Sequence, residues 1–118
     1  MLDVDRHSAT VTAQAGITIA RLSEELARHG LAMENMGDVA YQTISGAIST
    51  ATHGTGERLR NIPSQVCALS LVLADGSVLQ CSLDTEAETF KAAQVGLGAL
   101  GVWLPLRAGA RALARMEF

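Results

Sequence analysis

Apolar and polar positions alternate strictly from Ala9 to Ala15, with Ala9, Val11, Ala13 and Ala15 on one side and Thr10, Thr12 and Gln14 on the other. A period of two marks a half-buried strand. Asp3 to Arg6 supplies a second strand before it, with a turn near His7-Ser8. After Gly16 the period changes. Ile19, Leu22 and Leu26 recur at helical spacing, and Arg21, Glu24, Glu25 and Arg28 form the wet face between them. Thr18 is the expected N-cap of this helix, which runs to Ala27 or Arg28. Gly30 should close it, and His29 in the last turn reads as a solvated cap. Residues 31–36 read as a short extended segment broken by Gly37-Asp38. Thr43 can cap a second, short helix from Ile44 to Thr50, after which residues 57–63 form a polar loop. Gln65 to Ala74 and Ser77 to Ser82 form a hairpin around Asp75-Gly76. In its first strand Val66, Ala68, Ser70 and Val72 face one way, and Cys67, Leu69, Leu71 and Leu73 the other. A strand apolar on both faces belongs inside a sheet. Asp84 or Thr85 caps a third helix carrying Phe90 and Ala93. Val102-Trp103-Leu104 is a returning strand that Pro105 interrupts.

This order of strand pair, helix, short helix, hairpin, helix and strand predicts an α+β fold, a mainly antiparallel sheet flanked by helices. Long helices do not alternate regularly with strands, which disfavours a doubly wound parallel fold. The 118 residues suffice for one core, built from aliphatic side chains because aromatics are only 3% of the chain. A net charge of −3 gives no electrostatic case for nucleic acid. No apolar run reaches the length of a membrane span, and the start Met1-Leu2-Asp3-Val4-Asp5 has no signal-peptide form. Cys67 and Cys81 both fall in expected strands, so two buried reduced thiols in a cytosolic protein are the expectation.

The chemistry concentrates in Gly46-Ala47-Ile48-Ser49-Thr50-Ala51-Thr52-His53-Gly54-Thr55-Gly56. Glycine lets backbone approach a ligand, and serine and threonine supply hydroxyls for phosphate or carbonyl oxygens. A phosphate-binding P-loop would need lysine after Gly56, where the chain has Glu57. Gly96-Leu97-Gly98-Ala99-Leu100-Gly101 fits the dinucleotide string in letters only, because a helix precedes it and a strand follows. His29, His53, Cys67 and Cys81 lack zinc-ligand spacing, so no metal is expected. Ser49 with His53 lacks an acidic orienter nearby and the context of a nucleophile elbow.

Five stretches together resemble one family. They are Val11-Thr12-Ala13-Gln14-Ala15-Gly16-Ile17-Thr18, Gly30 to Asp38, Gln42 to Gly56, Leu73-Ala74-Asp75-Gly76, and Val95 to Val102. In this order they resemble the PCMH-type FAD-binding domain of sugar-1,4-lactone oxidases and alditol oxidases, among the vanillyl-alcohol-oxidase-type flavoproteins. The resemblance covers about the first 102 residues. It implies the C-terminal subdomain of such a domain at residues 1–102, and FAD as cofactor. It implies oxidation of a CH–OH group of a sugar lactone or polyol, with oxygen as acceptor. By position it implies that Asp38, Thr43, Gly46, Thr50, Ala51, Thr52 and His53 contact FAD, and that Val102 meets the adenine end through its backbone. Thr43 at a helix start could hydrogen-bond an oxygen, Gly46 permits close approach, and Thr50 and Thr52 offer hydroxyls.

Three departures qualify the match. The family carries glycine where this chain has Ala51, and a methyl there is unfavourable if the backbone needs positive φ. The family's upstream subdomain, with its pyrophosphate loop and the histidine often bonded to flavin, has no counterpart here; His53 is not that histidine. The downstream substrate domain also has no counterpart, so no catalytic residue is placed in this chain. Residues 103–118 depart from the family and read as a divergent tail, either a short amphipathic helix with Leu113 and Met116 on one face or an out-of-frame ending. The expectation is a truncated piece of a flavin oxidase, inactive alone. The alternatives are a non-catalytic interaction module that keeps the fold, and a flavin oxidase for a non-sugar alcohol.

Overall fold

The computed structural model describes residues 2–56, 58, 60–109 and 111–112. The amphipathic tail helix expected at Leu113 and Met116 lies outside the described residues, as do Glu57 and Leu59 of the polar loop.

The chain begins with a hairpin, β1 (Leu2–Asp5) and β2 (Thr10–Ala13). Its turn is closed by the Asp5 carboxylate, which accepts from the backbone N–H groups of His7 and Ser8 and from the Ser8 hydroxyl. Helix α1 (Ile19–Arg28) follows, and Thr18 caps it by accepting from the Arg21 N–H. Ile19, Leu22 and Leu26 are its buried face. Arg21 and Arg28 both pair with Glu25 on the wet face, exposed pairs of a kind that adds little stability. Gly30 then takes φ +71°, as a C-terminal glycine should.

After the short β3 (Leu31–Ala32) comes α2 (Ile44–Ser49), then a single 3-10 turn at Ile62–Gln65. β4 (Val66–Val72) and β5 (Val78–Ser82) form the expected hairpin, α3 (Ala87–Gln94) follows, and β6 (Val102–Gly109) and β7 (Arg111–Ala112) end the described chain. The main sheet is five-stranded, ordered β1-β2-β6-β4-β5. Every pairing in it is antiparallel. The α+β expectation is borne out.

All three helices feed one core. Their buried residues, with Phe90 and Ile48 among the largest, meet Val11, Ala13, Leu69, Leu71, Cys81, Leu106 and Ala108 on one face of the sheet. Thr12, Ala68, Ser70, Gln80 and Ser82 line a shallow cavity of about 350 Å³ on the sheet.

Four local expectations are corrected. The strand expected to stop at Pro105 runs from Val102 to Gly109, so a boundary at residue 102 would cut a central strand. Proline is tolerated there because the ladder is irregular. Leu69 pairs with Leu106 and Leu71 with Trp103, leaving an extra residue on β6 at this point. Pairing of β2 with β6 also ends at Leu106. No ladder bond is therefore demanded of the residue that lacks an N–H.

A second irregularity lies between Val66 and Ala68, which pair with Ala108 and Arg107. It puts Val66 in the core with Leu69 and leaves Cys67 exposed, so only Cys81 is a buried thiol. Burial, reinforced by the Glu86 carboxylate, pushes the Cys81 thiol above its ordinary value. The N-cap of α3 is neither Asp84 nor Thr85 but Glu86, at φ +54° and with no side-chain cap bond. The N–H groups of Asp84 and Thr85 instead donate to the Ser82 hydroxyl. Finally, the loop expected to be polar over 57–63 ends in buried Ile62 and Pro63.

The Asp75-Gly76 turn makes a prediction of its own. Asp75 accepts from the Ser77 hydroxyl at 2.6 Å and the Ser77 N–H at 2.9 Å. These bonds favour the carboxylate and hold Asp75 below its ordinary value of 3.8. A lowered native value means the contribution is complete above the unfolded value and is lost as pH falls through the native one. Ser77→Ala should return the Asp75 titration, followed by carboxyl-carbon NMR, towards the ordinary value. An unchanged titration would contradict the assignment.

Candidate cofactor site

Two helix starts are stitched together beneath the site. Thr18 and Thr43, the caps of α1 and α2, pair with each other as an isolated bridge. The Ile44 N–H donates to the Ile17 carbonyl at 2.8 Å and the Ser45 N–H to the Ala15 carbonyl at 3.2 Å. The Gly46 N–H donates to Thr43 Oγ1 at 3.2 Å, and the Ala47 N–H to the Thr43 carbonyl at 3.0 Å. The first turn of α2 therefore has no spare backbone donor, and the expected oxygen site cannot rest on the helix start. Thr43 Oγ1 keeps its hydroxyl proton and one lone pair, with Ser45 Oγ 3.5 Å away.

A groove of about 460 Å³ runs along this helix, within the size range of small-molecule sites. One wall carries Thr43, Ser45, Gly46, Ser49 and Thr50, with Ala15 and Gly16 at its base. The other wall is Leu97, Gly98, Val102 and Trp103. One wall thus bears hydroxyls and the other is largely apolar, a division suited to a flat ring system with polar substituents. Gly46 keeps its wall low, since an added Cβ would come within 3.1 Å of Thr43 Oγ1 and press on the cap. The Thr50 hydroxyl donates to the Gly46 carbonyl at 3.0 Å, so only its lone pairs remain available.

Of the eight sequence-expected residues, Thr43, Gly46, Thr50 and Val102 share this groove. Thr52 and His53 lie in a second strip, reached through Thr50 Oγ1 and Thr52 Oγ1, which are 3.4 Å apart. Gly37, just before the exposed Asp38, is so close to this strip that a Cβ there would meet Thr52 Cγ2 at 2.7 Å. His53 Nδ1 donates to the Gly54 carbonyl at 3.0 Å, which leaves Nε2 as the acceptor of the neutral ring. From His53 to Gly56 no backbone N–H has a partner among the described residues. This loop thus adds backbone donors without a partner among the described residues to the site.

Ala51 joins the two strips at φ +55°. Its N–H donates to the Ile48 carbonyl and the Thr52 N–H to the Ala47 carbonyl. This is the two-bond pattern that ends helices with a left-handed residue, normally glycine. α1 ends with Gly30 in the equivalent position; α2 ends with alanine. Left-handed backbone disfavours an L side chain by about 1–2 kcal/mol, and glycine loosens the unfolded chain by about 0.4–1 kcal/mol. Ala51→Gly should therefore stabilise the domain by about 0.5–1 kcal/mol in denaturant unfolding; loss of stability would contradict the strain.

Sequence reading missed Ser45 and, on the apolar wall, Leu97, Gly98 and Trp103. The signal for Leu97 and Gly98 was present in the glycine-rich turn. Its rejection as a dinucleotide fingerprint agrees with the helix before it and strand after it, yet the turn builds a wall by a different route. Leu97 and Gly98 take positive φ, and the Leu97 N–H reaches the Ser49 carbonyl at 3.4 Å.

Comparison with known proteins decides the family. The sequence profile of the FAD binding domain matches residues 1–82. The chain belongs to the FAD-binding-domain family. Its cofactor is FAD, in agreement with the expectation from sequence. The domain is 45% identical over 104 residues to L-gulonolactone oxidase of Mus musculus, spanning 88% of this chain and 24% of that protein. It is 46% identical over 102 residues to L-gulono-1,4-lactone dehydrogenase of Mycobacterium tuberculosis, spanning 86% of this chain and 23% of that protein. The chain thus spans about a quarter of the length of these relatives. In fold it resembles 6-hydroxy-D-nicotine oxidase from Arthrobacter nicotinovorans, with a TM-score of 0.88 at 21% identity over 95% of this chain and 25% of that one.

Proposed function

We propose that this FAD-binding domain is the flavin-holding portion of an oxidoreductase acting on CH–OH groups of sugar-1,4-lactones or alditols. The observation that carries the reading is the groove with one hydroxylated and one apolar wall, in a chain 45% identical to a sugar-lactone oxidase. Bound FAD supplies the two-electron redox chemistry. Thr43, Gly46 and Thr50 line the wall it lies along, and Val102 backs it from the opposite side. Asp38, Thr52 and His53 extend the contact surface beyond α2, with Ala51 setting the bend between them. No residue of this chain takes a proton or hydride role in the reading.

The acceptor is the finer point. We take it as oxygen, although the relatives include a protein named an oxidase and one named a dehydrogenase. The test exchanges this chain, through the end of β6 at Gly109, for the matching segment of the Mycobacterium tuberculosis enzyme. A folded chimera that retains FAD and oxidises L-gulono-1,4-lactone supports the reading, and its turnover under oxygen or under an artificial acceptor alone assigns the acceptor. A folded chimera without flavin overturns it.

A further inference from the structure

Two buried amides lie beneath the second strip of the site, and they take part in no expectation drawn from sequence. Among the described residues, Asn35 and Gln65 are the buried polar ones, each 8% exposed. Gln65 Nε2 donates to the Asn35 carbonyl at 3.1 Å, and Gln65 Oε1 accepts from the Glu34 N–H at 3.1 Å. Asn35 Nδ2 donates to the Arg60 carbonyl at 3.0 Å, and Asn35 Oδ1 accepts from the Met36 N–H at 3.0 Å. Together these bonds tie the 34–36 segment to Arg60 in the loop that follows the site and to Gln65 at the end of the 3-10 turn. The loop's middle is held as well, because the Ile62 N–H donates to the Thr52 carbonyl at 2.9 Å.

Gly54 lies directly on this framework. A Cβ there would collide with the Met36 carbonyl and with Asn35 Oδ1. The Asn35 amide is therefore the seat against which the His53-Gly54 backbone rests, and Gln65 fixes the seat. Buried amides with each of these bonds made hold one geometry, because each alternative leaves a polar group unpaired.

We propose that Asn35 and Gln65 are positioning residues for the flavin loop. They hold Thr52, His53 and Gly54, and with them the spare backbone donors from His53 to Gly56, in the arrangement that meets the cofactor. The proposal rests on the assignment of this strip to FAD. It does not make either amide a cofactor contact.

The test uses the full 118-residue chain. Backbone amide exchange is followed by NMR without cofactor, and FAD binding is then titrated. Gln65→Leu removes both bonds of the clamp, and Gln65→Glu keeps the acceptor for Glu34 while losing the donor to Asn35. Leu71→Ala is the control for general destabilisation. The expected result is faster exchange confined to the bonded amides of Glu34, Met36, Thr52 and Ile62, with β4 and β5 still protected. FAD affinity should fall about tenfold for Gln65→Leu and less for Gln65→Glu, on the scale of an unmade buried hydrogen bond. Leu71→Ala should lower protection throughout and leave FAD affinity of the folded protein unchanged. If Gln65→Leu does not fold, Gln65→Glu carries the comparison. Uniform loss of protection, or unchanged exchange in the loop, overturns the clamp. A parent chain that gives no FAD response counts against the cofactor reading instead, and the exchange pattern alone then decides the clamp.

Discussion

Gly54→Ala should unseat the His53 loop and remove flavin binding while much of the sheet survives. The new methyl has no room, since the Met36 carbonyl and Asn35 Oδ1 already occupy its place. The first of these is backbone and the second belongs to a buried, hydrogen-bonded amide, so neither can swing aside. Overpacking of a close-packed interior costs about 1–3 kcal/mol when side chains can adjust, and more where they cannot. The chain can escape only by lifting residues 52–56 from residues 35–37. That move separates Thr52 and His53 from Thr50 and breaks the bond from Ile62 to Thr52. An FAD titration should then show affinity reduced by at least about a hundredfold, the equivalent of about 2.7 kcal/mol. Gly37→Ala should be milder, because the atom in its way is the Thr52 methyl, the end of a side chain. Equal effects of the two substitutions would contradict this account of the contact.

Phe90→Ala is the second large effect, and it acts from the core. Phe90 is fully buried and, among the described residues, is the largest such side chain in a chain with few aromatics. It holds α3 against β4, β5 and α2. No other side chain in this aliphatic core has the volume to fill the space. Removing a buried Phe side chain costs about 3–5 kcal/mol, a large part of the roughly 5–15 kcal/mol that holds a domain together. The consequence reaches the site because the glycine-rich turn follows α3 directly. With α3 loosened, Leu97 and Gly98 lose their support, and the apolar wall of the groove loses its shape. Urea unfolding should show the midpoint falling steeply, with Phe90→Leu recovering much of the loss. An unfolding free energy within about 1 kcal/mol of the parent, the typical effect of a point substitution, would show that α3 is held by something else.

How much was legible in the sequence depends on whether the deciding interaction is local. α1 was readable in full: the Thr18 cap, the apolar stripe and Gly30 are all short-range signals that agree. The Asp75-Gly76 hairpin was readable for the same reason. The strand through Pro105 was not, because tolerance of proline depends on a bulge created by a partner strand far away in sequence. The same holds for Val66, whose face is set by its pairing with Ala108. At the site, Thr43 and Gly46 could be placed because helix capping is local. That the start of α2 is already satisfied could not be seen, since its partners are carbonyls of Ala15 and Ile17. Ala51 could be flagged as unusual, but its positive φ follows from the way α2 ends. The Asn35–Gln65 clamp joins residues 30 apart, and nothing in either neighbourhood announces it.

The proposed function puts FAD in the groove between α2 and the Leu97–Trp103 wall, extending over the His53 strip. Titration of the isotope-labelled chain with FAD, followed amide by amide in NMR spectra, tests it most directly because even weak binding shifts the resonances it touches. The account predicts shifts at Thr43, Gly46, Thr50, Thr52, His53 and Val102, with Gln80 and Ser82 on the sheet unmoved. No shift at saturating FAD, or shifts confined to the sheet cavity lined by Ser70, Gln80 and Ser82, would contradict it.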